Sequence, residues 1–161
     1  MKTRKDNKPI TFHYTNEQMV KDLIAITPLS GSVLDAGSGK NKVWYKNIPD
    51  GLEKYECEIE DGVDFMDWDK KVNWIIGNPP FNIGWKFIEK SCEIAQTGIA
   101  VLGNINNFNQ FTSLRLENMK EKGFTLKHIK IVADKRWFGR YYYLIFTKEN
   151  NDLLSWERKT Y

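Results

Sequence analysis

The chain has 161 residues, 41% hydrophobic and 14% aromatic, with 24 Lys and Arg against 21 Asp and Glu for a formal net charge of +3. That length and apolar content point to one folded domain with its own core and argue against disorder as the default reading. The slight basic excess permits a polyanionic partner without demanding one. No apolar run approaches the ~18 residues of a membrane span or forms a secretory leader, so a cytoplasmic location is expected.

In chain order, residues 1–11 read as a loose basic arm. The stretch YTNEQMVKDLIAI predicts an amphipathic helix. Thr15 and Gln18 have the spacing of a capping box, Met19, Val20, Leu23 and Ile24 make the apolar face, and Thr27-Pro28 ends it. GSVLDAGSG is a short apolar strand running into a glycine-rich turn, and KYECEIE alternates as a second strand. A weaker strand is expected around residues 63–65. VNWIIGN is almost wholly apolar and so is predicted to be buried on both faces. GWKFIEKSCEIAQ reads as a helix with Trp85, Ile88, Cys92 and Ala95 at helical spacing, and GIAVLGN as another buried strand. TSLRLENMKEKG is a helix closed by Gly123. TLKHIKIVA and YYYLIFT are the last strands; the joining DKRWFGR is too short for a crossover helix, so that pair must be antiparallel.

This alternation predicts an α/β fold: a mixed, mostly parallel seven-stranded sheet with an antiparallel last strand and helices on both faces. With no linker in view, residues 1–161 read as a single domain without a separate target-recognition domain. Cys57 and Cys92 lie in apolar runs without a CxxC partner, as small core residues of a reducing compartment. His13 and His128 are isolated and read as structural, and no metal site is expected.

In such sheets ligands bind outside the carboxyl ends of the strands, near the switch point. Three segments converge there. Asp35, Gly37 and Gly39 form a D-x-G-x-G turn whose glycines allow close backbone approach; it lacks the spacing of a triphosphate-binding loop. Glu58, near the end of the second strand, is placed to hydrogen-bond a ribose diol, although Glu56 and Glu60 share its expected strand face. Asp64 with Phe65 suits an adenine amino group and ring, with Asp67 as a second candidate. The third segment is Asn78-Pro79-Pro80-Phe81, a rigid tetrapeptide that ends the most apolar strand.

LDAGSG, EIE, DF and NPPF, in this order and spacing, resemble the S-adenosylmethionine-dependent methyltransferases with a Rossmann-like fold, and among them the enzymes that methylate N6 of adenine in DNA. The resemblance spans roughly residues 13–147, and NPPF carries most of its specificity. It implies S-adenosylmethionine as cofactor, with Asp35, Gly37 and Gly39 in the methionine-binding loop. By the same resemblance Thr15 lies at the amino-acid end of the cofactor, Glu58 on the ribose, and Asp64 and Phe65 on the adenine.

Chemistry explains the tetrapeptide. An exocyclic amine conjugated to a ring is a poor nucleophile unless its two N–H groups are held by fixed acceptors. The Asn78 side-chain oxygen and the Pro79 carbonyl suit that task. Pro79 and Pro80 fix the backbone, and Phe81 offers a stacking face. A base in a duplex must be flipped out, or single-stranded, to reach such a site. DKRWFGR fits this need: Trp137 or Phe138 as a second ring, with Phe138 preferred by the resemblance, and Lys135, Arg136 and Arg140 toward phosphate. The asparagines of residues 104–111 either touch bases or make turns. Sequence choice would come from short loops and the tail, as in compact phage-type adenine methyltransferases, or from a homodimer or specificity partner. Methylation of RNA adenine, methylation of protein glutamine, and a non-catalytic nucleic-acid-binding subunit remain as alternatives.

Overall fold

The computed structural model describes residues 15–135, 139–150 and 153–157. The expected basic arm and the hairpin residues Arg136, Trp137 and Phe138 lie outside that set. Among the described residues the strands are β1 Ser32–Ala36, β2 Glu53–Cys57, β3 Val72–Gly77, β4 Ala95–Asn104, β5 Thr125–Val132 and β6 Tyr141–Thr147. They form one sheet in the order β2-β1-β3-β4-β6-β5. Neighbours pair in parallel from β2 to β4, and β6 runs antiparallel to both β4 and β5. The chain steps outward from β1 to β2, then returns to place β3 on the other side of β1. The carboxyl ends of β1 and β3 therefore flank a topological switch point, where α/β sheets bind their ligands.

The apolar runs are buried because both faces of the sheet are covered. On one face Val33, Trp74, Ile76 and Leu102 pack against α1 Glu17–Ala25 and α2 Val43–Asn47, through Val20, Leu23, Ile24 and Trp44. On the other, Leu34, Ile75, Ile99 and Phe146 pack against α3 Gly84–Ile94 and α5 Ser113–Glu121, through Phe87, Ile88, Cys92 and Met119. The period-two alternation of Val33/Leu34 and Trp74/Ile75/Ile76 assigns each side chain to its face. Register does the rest: Gly98 lies opposite Trp74 and leaves room for the indole, which a Cβ there would overlap. One further helical turn, α4 Ile105–Phe108, follows β4 directly. The tail segment straps α5 to β5, with the Leu153 N–H donating to the Leu126 carbonyl at 3.1 Å and Ser113 Oγ to the Glu157 carbonyl at 2.8 Å.

Three expectations are corrected. No strand forms at residues 63–65, which leaves six strands rather than seven. Asp64 instead caps a 3-10 turn, Phe65–Asp67, by accepting the Met66 N–H at 2.9 Å. A short side-chain acceptor that bonds its own backbone competes with a strand ladder. The second strand stops at Cys57, because the Cys57 carbonyl is taken by the N–H groups of Gly37 and Ser38, each at 3.0 Å. The cap of α1 is Asn16, not Thr15: Asn16 Oδ1 accepts the Met19 N–H at 3.1 Å, while Gln18 turns along the helix to Asp22. Among the described residues no helix is long and apolar enough to cross a membrane.

Candidate active site

The glycine turn leaves β1 with Gly37 at φ +77° and Gly39 at φ +65°, values that side-chain-bearing residues rarely adopt. A Cβ built on either glycine meets nothing within 4 Å, so the turn offers bare backbone to open space. Asp35 lies beneath it, fully buried. Its Oδ2 accepts the Tyr45 N–H at 2.9 Å, and its Oδ1 is buried without a partner. Burial pushes the Asp35 carboxyl up to about 7, against the pull of the Tyr45 N–H and with a further push from Glu56 and Glu58. The helix α2 that supplies Tyr45 lies in the connection from the glycine turn to β2. It is only five residues long and starts from Lys42 at φ +51°, so it gives no periodic signal.

The shifted carboxyl has a testable sign. Below about pH 4 both folded and unfolded chains hold the Asp35 proton. Between about 4 and 7 the unfolded chain releases it first, so stability falls with rising pH across that window and levels off above it. Asp35→Asn removes this pH dependence. Relative to Asp35→Asn, the unliganded wild type is expected to lose up to ~4 kcal/mol between pH 4 and pH 7. Denaturant melts of both proteins across that range check it, and parallel pH profiles would contradict it.

Glu58 sits just past β2 and lines an open cleft together with Glu60, whereas Glu56 lies within the strand. Glu58 Oε2 accepts the Gly39 N–H at 2.6 Å and its Oε1 accepts the Glu60 N–H at 3.3 Å. Glu56 instead pairs with Lys42 at 2.6 Å, and Glu60 with Lys40 at 3.3 Å. Asp64 keeps one carboxylate oxygen beyond its cap. Phe65 is buried, its ring 4.5 Å from that of Phe87, so it presents an edge of the core to the site.

Asn78 follows Gly77 at the end of β3. Its Nδ2 donates to Thr15 Oγ1 at 3.4 Å, and its Oδ1 is buried with no partner. The use of Asn16 as helix cap leaves the Thr15 hydroxyl available for this contact. Pro79 is buried, Pro80 exposed, and the Phe81 ring is 38% exposed. A 3-10 turn, Phe81–Ile83, then leads into α3.

These segments share one open cleft of about 580 Å³. Gly37, Gly39, Glu58, Asp64, Phe65, Asn78, Pro79, Pro80 and Phe81 all line it, with Asp35 under its floor. Exposed apolar side chains of Ile59 and Val63 rim it near Phe81. Cys57 also lines it, but burial pushes that thiol up to about 11, and Cys92 to about 12, so neither is a nucleophile near neutrality. The two basic hairpin residues that are described do not line the cleft. Lys135 belongs to a separate groove against α1, beside Asn16, and Arg140 is exposed. Residue pairing of Asn104 with Tyr141 nevertheless brings the hairpin base to the same rim as the end of β4. Gln110 and Gly77 carry no signal in the sequence, and Asn107 stands there only as one of the asparagines that touch bases or make turns; in the fold Asn107 bonds the Phe81 carbonyl, Gln110 the Trp85 N–H, and Gly77 immediately precedes Asn78.

No family model matches this sequence, and no curated protein matches it. Solved structures do. A magnesium protoporphyrin IX methyltransferase from Synechocystis PCC 6803 with bound SAM aligns with TM-score 0.60 and 13% identity, over 83% of this chain and 79% of that one. A ribosomal protein L11 methylase from Lactobacillus delbrueckii subsp. bulgaricus aligns with TM-score 0.55 and 14% identity, over 81% and 77%. A 16S rRNA methyltransferase from T. thermophilus, in complex with AdoMet and guanosine, aligns with TM-score 0.50 and 12% identity, over 85% of this chain but 40% of that one. The three differ in substrate and share an architecture: the chain has the Rossmann-like fold of the S-adenosylmethionine-dependent methyltransferases.

Proposed function

We propose that this protein transfers a methyl group from S-adenosylmethionine to the N6 amino group of adenine in DNA, with the base flipped out or single-stranded. The observation that carries this reading is Asn78 Oδ1, a buried acceptor without a partner on the wall of the cleft that also holds the glycine turn. A buried amide oxygen left unbonded is costly unless a ligand satisfies it.

The residues present fit the cofactor. Gly37 and Gly39 leave open space where side chains would block an amino-acid moiety, Asp35 Oδ1 is an unused acceptor beneath them, and Glu58 faces the cleft between the turn and Asp64. When bound, S-adenosylmethionine supplies an electrophilic methyl group on a sulfonium. Everything else falls to the chain. Asn78 Oδ1 takes one N–H of the incoming amine, and the Pro79 carbonyl would take the other, which turns the nitrogen lone pair out of conjugation. With Asn78 Nδ2 donating to Thr15 Oγ1, the amide oxygen is left for the substrate. Phe81 gives the base a ring to stack on, and the gain is one of positioning and fixed dipoles rather than acid–base chemistry.

For the hairpin we propose that Trp137 or Phe138 provides the second ring, and that Lys135, Arg136 and Arg140 meet backbone phosphates. Target choice would then come from rim loops or from a partner. Tritium transfer from labelled S-adenosylmethionine to separate DNA, RNA and protein pools, with nucleoside analysis, tests the reading. N6-methyladenine in DNA is the expected product. Label confined to RNA would move the substrate to RNA adenine, and label confined to protein would move it to a side-chain amide.

A further inference from the structure

Two side-chain amides on the loop after β4 hold the far end of the tetrapeptide. Asn104 ends β4 and caps α4, its Oδ1 accepting the N–H groups of Asn106 at 2.9 Å and Asn107 at 3.1 Å. The Asn107 side chain folds back to complete the box, Oδ1 accepting the Asn104 N–H at 3.1 Å. Its Nδ2 then donates to the Phe81 carbonyl at 3.5 Å. Three residues on, Gln110 Oε1 accepts the Trp85 N–H at 2.9 Å, one of the first-turn donors of α3 that has no partner within the helix.

Asn107 is nearly buried, and it sits between two backbones that both lack a side chain there. A Cβ on Gly84 would overlap its Nδ2, and a Cβ on Gly103 would come within 3.0 Å of its Cβ. The site is thus shaped around one amide, which reads as a built joint between the β4 loop and the start of α3. A donor is needed on one side and an acceptor on the other, and the amide supplies both from one planar group.

The geometry points to Asn107 as a positioning residue for the tetrapeptide, with Gln110 as its second support. Asn78 is anchored on its upstream side by β3 and Thr15. Downstream, the 3-10 turn holds the Phe81 backbone through the Ile83 N–H donating to the Pro80 carbonyl at 3.2 Å, and Asn107 and Gln110 tie that turn and the start of α3 to the β4 loop, which limits the swing of the stacking ring. Their effect falls on the transfer step and not on cofactor capture, because neither residue lines the cleft. This role in transfer rests on the methyltransferase reading; the mechanical link does not.

The two supports predict opposite responses to the same kind of change. Gln110 acts toward Trp85 as an acceptor only, so Gln110→Glu keeps the contact and is expected to transfer methyl at the wild-type rate, whereas Gln110→Ala is slower. Asn107→Asp keeps the acceptor toward Asn104 but sets a carboxylate oxygen against the Phe81 carbonyl. Asn107→Asp is expected to lower kcat roughly 10- to 100-fold, with cofactor Kd within about twofold of wild type. Hydrogen exchange followed by mass spectrometry reads the joint without any turnover: amides of residues 81–86 should exchange faster in Asn107→Asp and in Gln110→Ala, with β1 and β3 unchanged. Unaltered exchange in 81–86 overturns the proposal whatever the enzyme's activity, as does a kcat loss matched by an equal loss of cofactor affinity. If the wild type transfers no methyl to any pool, the functional reading fails, and the exchange data still decide the joint.

Discussion

Asn78→Ala is expected to bind S-adenosylmethionine as the wild type does and to lose methyl transfer by on the order of 10²–10³-fold, the usual scale for one fixed hydrogen-bonding group aimed at a reacting centre. The substitution removes the unpartnered Oδ1 and with it the acceptor that orients the amine. It leaves the glycine turn, Glu58 and the 3-10 caps untouched. Folding should suffer little, because Asn78 makes a single side-chain bond, at 3.4 Å to Thr15, and its Oδ1 is unsatisfied in the unliganded chain. Asn78→Asp is the informative companion: a carboxylate can accept both ways but cannot donate to Thr15 as a fixed amide does. Calorimetric titration with cofactor and single-turnover transfer separate binding from chemistry. Transfer within a few-fold of wild type would remove Asn78 from the proposed role.

Gly77→Ala should behave differently, with stability, cofactor binding and transfer all reduced together. Gly77 has φ +147° and lies where β3 passes the end of β1. A Cβ there would stand 3.0 Å from the Ala36 carbonyl oxygen and 3.5 Å from Asp35 Oδ1. The backbone strain alone costs about 1–3 kcal/mol, and the nearest obstacle is main chain, which cannot swing aside as a long side chain would. Relief requires β1 and β3 to part at their carboxyl ends, the point from which the glycine turn and Asn78 both depart. A fall of roughly 5–10 °C in the thermal midpoint is expected, with weaker cofactor binding. A variant that melts with the wild type would show that the two strand ends are less tightly coupled than the contacts indicate.

Much of this was legible in the sequence because it rests on long apolar runs. VNWIIG could hardly be other than a strand covered on both faces, and the Gly37/Gly39 turn and Asn78 had to emerge together once β1 and β3 were parallel neighbours. What escaped was decided by single hydrogen bonds. Thr15 and Asn16 are adjacent and equally able to cap a helix; only the fold shows that Asn16 does so and that Thr15 turns to Asn78. Glu56, Glu58 and Glu60 look alike in a strand, and differ because β2 ends one residue before Glu58. The expected strand at residues 63–65 yields to the Asp64 side chain bonding the Met66 N–H. Asn107 was legible only as one of the asparagines that touch bases or make turns; its contact with the tetrapeptide was not, since Phe81 and Gly84 lie more than twenty residues away in sequence.

The most direct test compares two single-stranded DNA oligonucleotides of one sequence, one carrying adenine and the other purine, which lacks the exocyclic amine, at every such position. With tritiated S-adenosylmethionine, the account predicts label in the adenine strand alone, recovered as N6-methyladenine and abolished by Asn78→Ala. Equal label in both strands would contradict adenine N6 as the acceptor, and label recovered on a ring nitrogen or ring carbon would contradict the claim that Asn78 and Pro79 present an amino group to the methyl donor.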